Sequence, residues 1–209
     1  MNAMRFWAVW VLALLAVTGA ADRAQAETAI VAGGCFWCVE ADFEAVPGVS
    51  DVVSGYTGGD SADPTYGAHN GHYEAVTITF DPGTIGYAEI IALFLRSVDV
   101  TDAGGQFCDR GSSYRTAIFA KGAAQTKAAQ AAVDTAEAAL GKTVVTPVLA
   151  ATKFWLAENY HQDYARGSNI VLTRAGPKKQ SNAYKFYRKA CGRDATVKAL
   201  WGAEAAFVR

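Results

Sequence analysis

Two cysteines three residues apart, Cys35 and Cys38 in GGCFWCVE, set the first chemical question this chain poses. Thiols at that spacing share one face of a helix and can close a disulfide after a first oxidation step. Cys35 follows two glycines where a strand gives way to a helix. There the positive end of the helix dipole and the free N–H groups of the first turn favour a thiolate. Cys35 is therefore the expected nucleophile, with Cys38 within reach of it. Phe36 and Trp37 stand between the two sulfurs, where a redox CxxC usually carries small residues. Their rings would wall an apolar slot suited to a methyl or thioether group; plain packing against a sheet is the alternative.

Glu74 is the second chemical residue. In YEAVTITF, residues Glu74, Val76, Ile78 and Phe80 point to one side of a strand. A carboxyl on that apolar face is held protonated by burial and serves as a proton donor at neutral pH. If the strand end frays, Glu74 escapes to solvent instead. His69, His72 and His161 look faintly like a metal-ligand set. Their spacing falls in a loop and a strand, so no metal site is expected.

These side chains need a scaffold. TAIVAGG reads as a buried strand and CFWCVEADFEAV as a helix stopped by Pro47-Gly48. VSDVVSGYTGG is a second strand, a long loop runs from Gly58 to Gly71, and Tyr73–Phe80 is a third strand. A helix over Tyr87–Val98, a glycine-rich loop over Asp102–Ser113 and a strand in YRTAIFA follow. The β-α-β-β-α-β order predicts an α+β fold, a ferredoxin-like split βαβ two-layer sandwich. An alanine-rich helix over Gly122–Leu140, a fifth strand in TVVTPVLA, and additional C-terminal helices and coil complete it.

The 209 residues are 51% hydrophobic, enough for one domain with a real core, and the net charge of −1 points away from nucleic acid. Residues 1–26 have the pattern of a secretory signal peptide: Arg5, an uncharged apolar run from Phe6 to Ala21, and Ala24-x-Ala26. A retained membrane anchor is the alternative. An exported, periplasmic protein with one domain over 27–209 is expected. Export makes structural disulfides the ordinary use of Cys35, Cys38, Cys108 and Cys191, which allow three pairings. Two rivals stand on that ground: a thioredoxin-like disulfide oxidoreductase, and a non-enzymatic protein with two disulfides.

GCFWCVE, DPTYGAHNGHYEAV, GGQFCDRGSSYRTAIF and AENYHQDY occur in one order from Val31 to Tyr164, and together they resemble the methionine sulfoxide reductase A family. The resemblance implies reduction of the S epimer of methionine sulfoxide, free or in oxidised proteins. It implies that Cys35 attacks the sulfoxide sulfur, that Phe36 and Trp37 hold the terminal methyl, and that Glu74 protonates the oxygen. Tyr66 and Tyr114 would hydrogen-bond that oxygen, and Asp109 would orient the site. A sulfenic acid on Cys35 then condenses to a disulfide, reduced by thioredoxin or an exported thioredoxin-like donor. No metal or organic cofactor is called for, and a monomer is expected. Many members have glycine where this chain has Cys38. Cys38 is the first choice as resolving cysteine, with Cys191 its rival; Cys108 has no assigned role beyond a buried thiol or disulfide partner. After YHQDY the family often continues to Asn-Pro, where this chain has ARGSNIVLT.

Overall fold

A computed structural model of the protein describes residues 25–209. The expected signal segment lies outside them but for its last two residues. The chain runs through β1 (Glu27–Gly33), α1 (Phe36–Phe43), β2 (Val49–Thr57), β3 (Tyr73–Phe80) and α2 (Tyr87–Leu95). The minimal strands β4 (Gly105–Gln106) and β5 (Asp109–Arg110) follow, then β6 (Thr116–Ala120) and the long helix α3 (Gly122–Leu140). Two short edge strands come next, β7 (Val148–Ala150) and β8 (Trp155–Leu156). The C-terminal part holds a hairpin of β9 (Ile170–Thr173) and β10 (Gly176–Lys179), then α4 (Gln180–Ala190) and α5 (Arg193–Trp201).

Six strands form one mixed sheet in the order β7-β6-β1-β3-β2-β8. β1 runs antiparallel to both its neighbours, β3 and β6, and β3 antiparallel to β2. Only the β6–β7 pair is parallel. β1 carries the continuous apolar run AIVA because both faces of a central strand are covered. On one face Val31, Val76 and Ile78 pack with Phe43 of α1, Phe94 of α2 and Val133 of α3. On the other, Ile30, Tyr73, Ala75 and Phe119 form a smaller cluster against Phe154. Each large apolar side chain taken fully from water contributes about 1.5–3 kcal/mol. α3 buries only Ala129, Val133 and Ala136, a stripe one helical repeat wide, which is why alanine suffices there.

The expected fifth strand, TVVTPVLA, is shorter than its composition suggests. Only Val148–Ala150 pairs with β6. Pro147 has no N–H for a ladder; its carbonyl instead accepts the N–H of Ile118 at 2.9 Å. No described helix is long and apolar enough to cross a membrane.

The C-terminal helices are fastened by charge. Arg188 of α4 donates to both carboxylate oxygens of the buried Asp42 on α1, at 2.9 and 3.0 Å. It also pairs with Asp194 at 2.7 Å, and Arg209 reaches Asp42 at 3.3 Å. A disulfide joins Cys108, between β4 and β5, to Cys191 at the α4–α5 junction.

Candidate active site

Cys35 is the residue that caps the start of α1, and it is half-buried. Gly34 before it has φ +80°, and a side chain there would meet Cβ of Gln106 at 2.6 Å. Only glycine lets these two segments approach so closely. Gln106 is fully buried and clamps the loop with its amide: it accepts the Asp99 N–H and donates to the Asp99 carbonyl, both at 2.8 Å. The loop that carries Asp109 is thus locked against the cysteine turn.

Cys35 and Cys38 are both free, and they pack with Tyr164 and Tyr184 in a small apolar cluster. The expected thiolate at Cys35 is not what the resting geometry favours. Its hydrogen bond with Cys38, burial, and the nearby Cys38, Glu74 and Asp109 charges push the Cys35 thiol well up. The same hydrogen bond lowers Cys38, burial opposes this, and the Arg193 and Arg188 guanidiniums assist it. Of the two, Cys38 is the more readily ionised thiol, and Cys35 is the donor of their hydrogen bond.

Glu74 lies on the helix-covered side of β3 and is 1% exposed, so the strand end does not fray. The Phe36 backbone N–H donates to its Oε2 at 3.2 Å. Its Oε1 is buried with no partner. Burial, opposed by that N–H and reinforced by Asp109, raises its pKa to about 8. Asp109 borders the same cavity as Cys35, and burial raises its carboxyl against the pull of Arg193. The Tyr66 hydroxyl is pushed up to about 12, by burial first and the Glu74 charge next. Burial and Glu74 likewise push Tyr114 up. Both phenols are donors at neutral pH.

The two rings of the CFWC stretch part company. Phe36 is 1% exposed and packs behind the site, its ring 5.8 Å from Tyr56 and 5.1 Å from His161. Trp37 faces the cavity and stacks flat on Tyr164 at 3.7 Å, and its indole N–H donates to His161 Nδ1 at 3.1 Å. Burial lowers His161 to about 4, so its ring is a neutral acceptor at working pH. The cavity, about 320 Å³, brings together Cys35, Trp37, Cys38, Tyr66, Asp109 and the Cys191 end of the disulfide.

Cys191 and Cys108 are bonded to each other beside this cavity, and Cys38 is the free thiol next to Cys35. The histidines do not converge as ligands. His72 accepts the Gly59 N–H at Nδ1, and its Nε2 lies 2.9 Å from the Ser61 carbonyl. Among the described residues no group of three or more His, Cys, Asp or Glu is placed to hold a metal ion.

Tyr164 and Arg193 are among the cavity residues to which the sequence assigns no role. Tyr164 lies in the AENYHQDY block, which signalled its neighbourhood but not its stacking partner. Arg193 is 2% exposed, donates to the carbonyls of Gly33 and Ser97, and sits 4.8 Å over the Phe107 ring. Nothing in the sequence distinguishes it from the other C-terminal cations.

Residues 27–204 match the family described as peptide methionine sulfoxide reductase. The chain is 50% identical, over 87% of both lengths, to "Peptide methionine sulfoxide reductase MsrA 2" of Rhizobium meliloti. It is 45% identical to the protein of the same description in Caulobacter vibrioides, over 95% of this chain and all of that one. The fold is similar to that of methionine sulfoxide reductase A of Corynebacterium diphtheriae, with a TM-score of 0.62 and 31% identity over 68% of this chain and 74% of the other.

Proposed function

This chain belongs to the peptide methionine sulfoxide reductase family and is a thiol-dependent oxidoreductase acting on methionine sulfoxide, and we propose that Cys35, Cys38 and Glu74 carry out the reaction. The observation that carries this reading is the unpartnered Oε1 of Glu74, buried beside the cysteine turn and protonated up to a pH of about 8. A neutral, buried carboxyl is a proton donor at neutral pH, and the neighbouring Tyr114 hydroxyl tempers the rise of its pKa.

The steps balance as follows. The Cys35 sulfur attacks the sulfoxide sulfur while Glu74 protonates the oxygen. The oxygen then passes to the Cys35 sulfur as the S–S and substrate S–O bonds of the adduct so formed break, so the substrate leaves as thioether and Cys35 holds a sulfenic acid. The proton released by Cys35 restores Glu74. Tyr66 and Tyr114 donate hydrogen bonds to the oxygen, and Asp109 orients the loop. The Cys38 sulfur then attacks the Cys35 sulfur while the proton of the Cys38 thiol goes to the departing hydroxyl, so the Cys35 S–O bond breaks, water leaves and a Cys35–Cys38 disulfide remains. Trp37 offers an indole face to the methyl group, with Phe36 as the wall behind it. The S epimer, free or in proteins, is the substrate in this reading, and thioredoxin or an exported thioredoxin-like dithiol is the donor.

The wider reading goes with it. Residues 27–209 act as one catalytic domain and as a monomer. The strand order β6-β1-β3-β2 with antiparallel neighbours supports a ferredoxin-like split βαβ core, to which β7 and β8 are added. The apolar leader pattern in residues 1–26, together with a Cys108–Cys191 disulfide, supports a periplasmic site of action.

Mass spectrometry after one turnover with methionine sulfoxide and no reductant is the test. The expected product is a Cys35–Cys38 disulfide with Cys108–Cys191 unchanged. Oxidised protein in which Cys35 takes no part would overturn the mechanism.

A further inference from the structure

The β9–β10 hairpin presents an apolar face that the core does not use. Cross-strand pairing puts Ile170 opposite Lys179, Val171 opposite Lys178, and Leu172 opposite Pro177. Side chains alternate, so Ile170, Leu172, Pro177 and Lys179 share one face and Val171 the other. Val171 packs inward on the cluster that contains Cys35 and Cys38. Ile170 is 67% exposed and Leu172 is 85% exposed, and Leu172 also borders the cavity that holds Cys35. Two large aliphatic side chains held out at the mouth of a reactive cavity are an unusual use of surface.

The hairpin is not free to fold these residues away. The Thr173 hydroxyl donates to the Gly176 carbonyl at 2.6 Å and closes the turn, and the Arg174 N–H donates to the Tyr187 hydroxyl of α4. Charge is segregated on the same unit. Residues 174–189 contain six cations and no carboxylate, in a chain with a net charge of −1. Among the described residues, Arg188 is the only one of the six in an ion pair; Lys178 lies over the Phe186 ring, and Lys185 and Lys189 line a separate hollow with Asp194, which leaves Arg174 and Lys179 at the hairpin for an external partner.

We propose that the outward face of the β9–β10 hairpin, with Arg174 at its turn and Lys179 on that face, docks the flanking residues of an extended, acidic polypeptide segment whose oxidised methionine enters the cavity. This rests on the functional reading above and specifies its substrate class. Continuity carries it: a methionine sulfoxide that reaches Cys35 must leave its neighbours on the cavity lip, and Leu172 is on that lip. Ile170 and Leu172 stand about 7 Å apart along the strand, the spacing of alternate side chains in an extended partner. Arg174 and Lys179 favour carboxylates on that partner and steer it in.

The test compares kcat/KM on free methionine sulfoxide with that on two blocked peptides, each with one central methionine sulfoxide and flanked by either Asp and Leu or Lys and Leu. The unaltered protein should prefer the acidic peptide. In Ile170→Ser/Leu172→Ser the ratio of acidic-peptide to free-substrate kcat/KM should fall about tenfold, through loss of two aliphatic contacts. Arg174→Glu/Lys179→Glu should narrow or reverse the preference between peptides, and added salt should do the same to the unaltered protein. Unchanged ratios in both variants would overturn the proposal. So would equal losses on free substrate and peptide, or a rise in KM for the reductant alone, which would make this face the reductant's dock. An unaltered protein inactive on free methionine sulfoxide would instead sink the functional reading.

Discussion

The Phe36 backbone N–H holds Oε2 of Glu74 at 3.2 Å, so the first turn of α1 fixes the carboxyl whose other oxygen is left free. Glu74→Gln keeps the shape and the contact but removes the transferable proton. Turnover of free methionine sulfoxide should fall by about 10²–10⁴, the usual worth of a general acid. In the unaltered protein the rate should decline as pH rises past about 8, where Glu74 ionises. A pH–rate profile of both forms is the measurement, and a Gln variant with the normal rate would remove Glu74 from the mechanism.

The same carboxyl weakens the fold. Its folded pKa, about 8, lies above the ordinary 4.5, and Glu40, also buried, is raised to about 8 by its burial. Ionisation in the unfolded chain alone lowers stability as pH climbs between those two values. Glu74→Gln should therefore melt at a higher temperature than the unaltered protein at pH 7.5, and at nearly the same temperature at pH 4. Thermal melts across that range check the sign.

His161 runs the other way. Its folded pKa of about 4 lies below the ordinary 6.5, so the unfolded chain binds the extra proton between those values. Stability should be full above pH 6.5 and decline as pH falls towards 4. The ring accepts the Trp37 indole N–H at Nδ1, and protonation there would abolish that bond. His161→Asn, whose side-chain oxygen can take the Nδ1 role, should flatten this acid limb. Melting midpoints at pH 4.5 and 6.5 give the difference.

Asp42 is the shared anion of Arg188, Arg209 and, at 3.9 Å, Arg193. Asp42→Ala would strand buried guanidiniums and should lower stability by about 3–5 kcal/mol, as breaking a buried pair does. Asp42→Leu with Arg188→Met should cost less than Asp42→Ala alone. Urea unfolding of the three proteins decides it. A single variant as stable as the unaltered chain would show the network to be energetically idle.

The four-stranded heart of the sheet could be read from alternation because each strand has a face whose burial dictates residue type: Val76, Ile78 and Phe80 could go nowhere else. Glu74 was legible for the same reason, as the one polar residue on that face. The fifth strand was overread because TVVTPVLA is β-branched, and propensity cannot see that Pro147 interrupts the ladder. The C-terminal part was opaque for a physical reason: α4 and α5 are held by Arg188, Arg193 and Asp42, so their buried positions are charged and mimic solvent-facing ones. The protonation of the cysteine pair was out of reach too. A helix N-terminus favours a thiolate at Cys35, but the hydrogen bond with Cys38 raises the Cys35 thiol, and that bond together with arginines brought from far along the chain lowers Cys38. The Cys108–Cys191 pairing is a fact of three-dimensional proximity, and spacing alone left three possibilities open.

That bond also gives the molecule a closed covalent ring. Cys108 and Cys191 are 83 residues apart, and β6, α3 and the hairpin all lie on the circle between them. A protease that clips any one of these stretches leaves a single particle, with both cysteines of the reactive pair on one fragment and the cavity's far wall still attached to it. Damage of that kind becomes a severance only when a reductant reaches the bond.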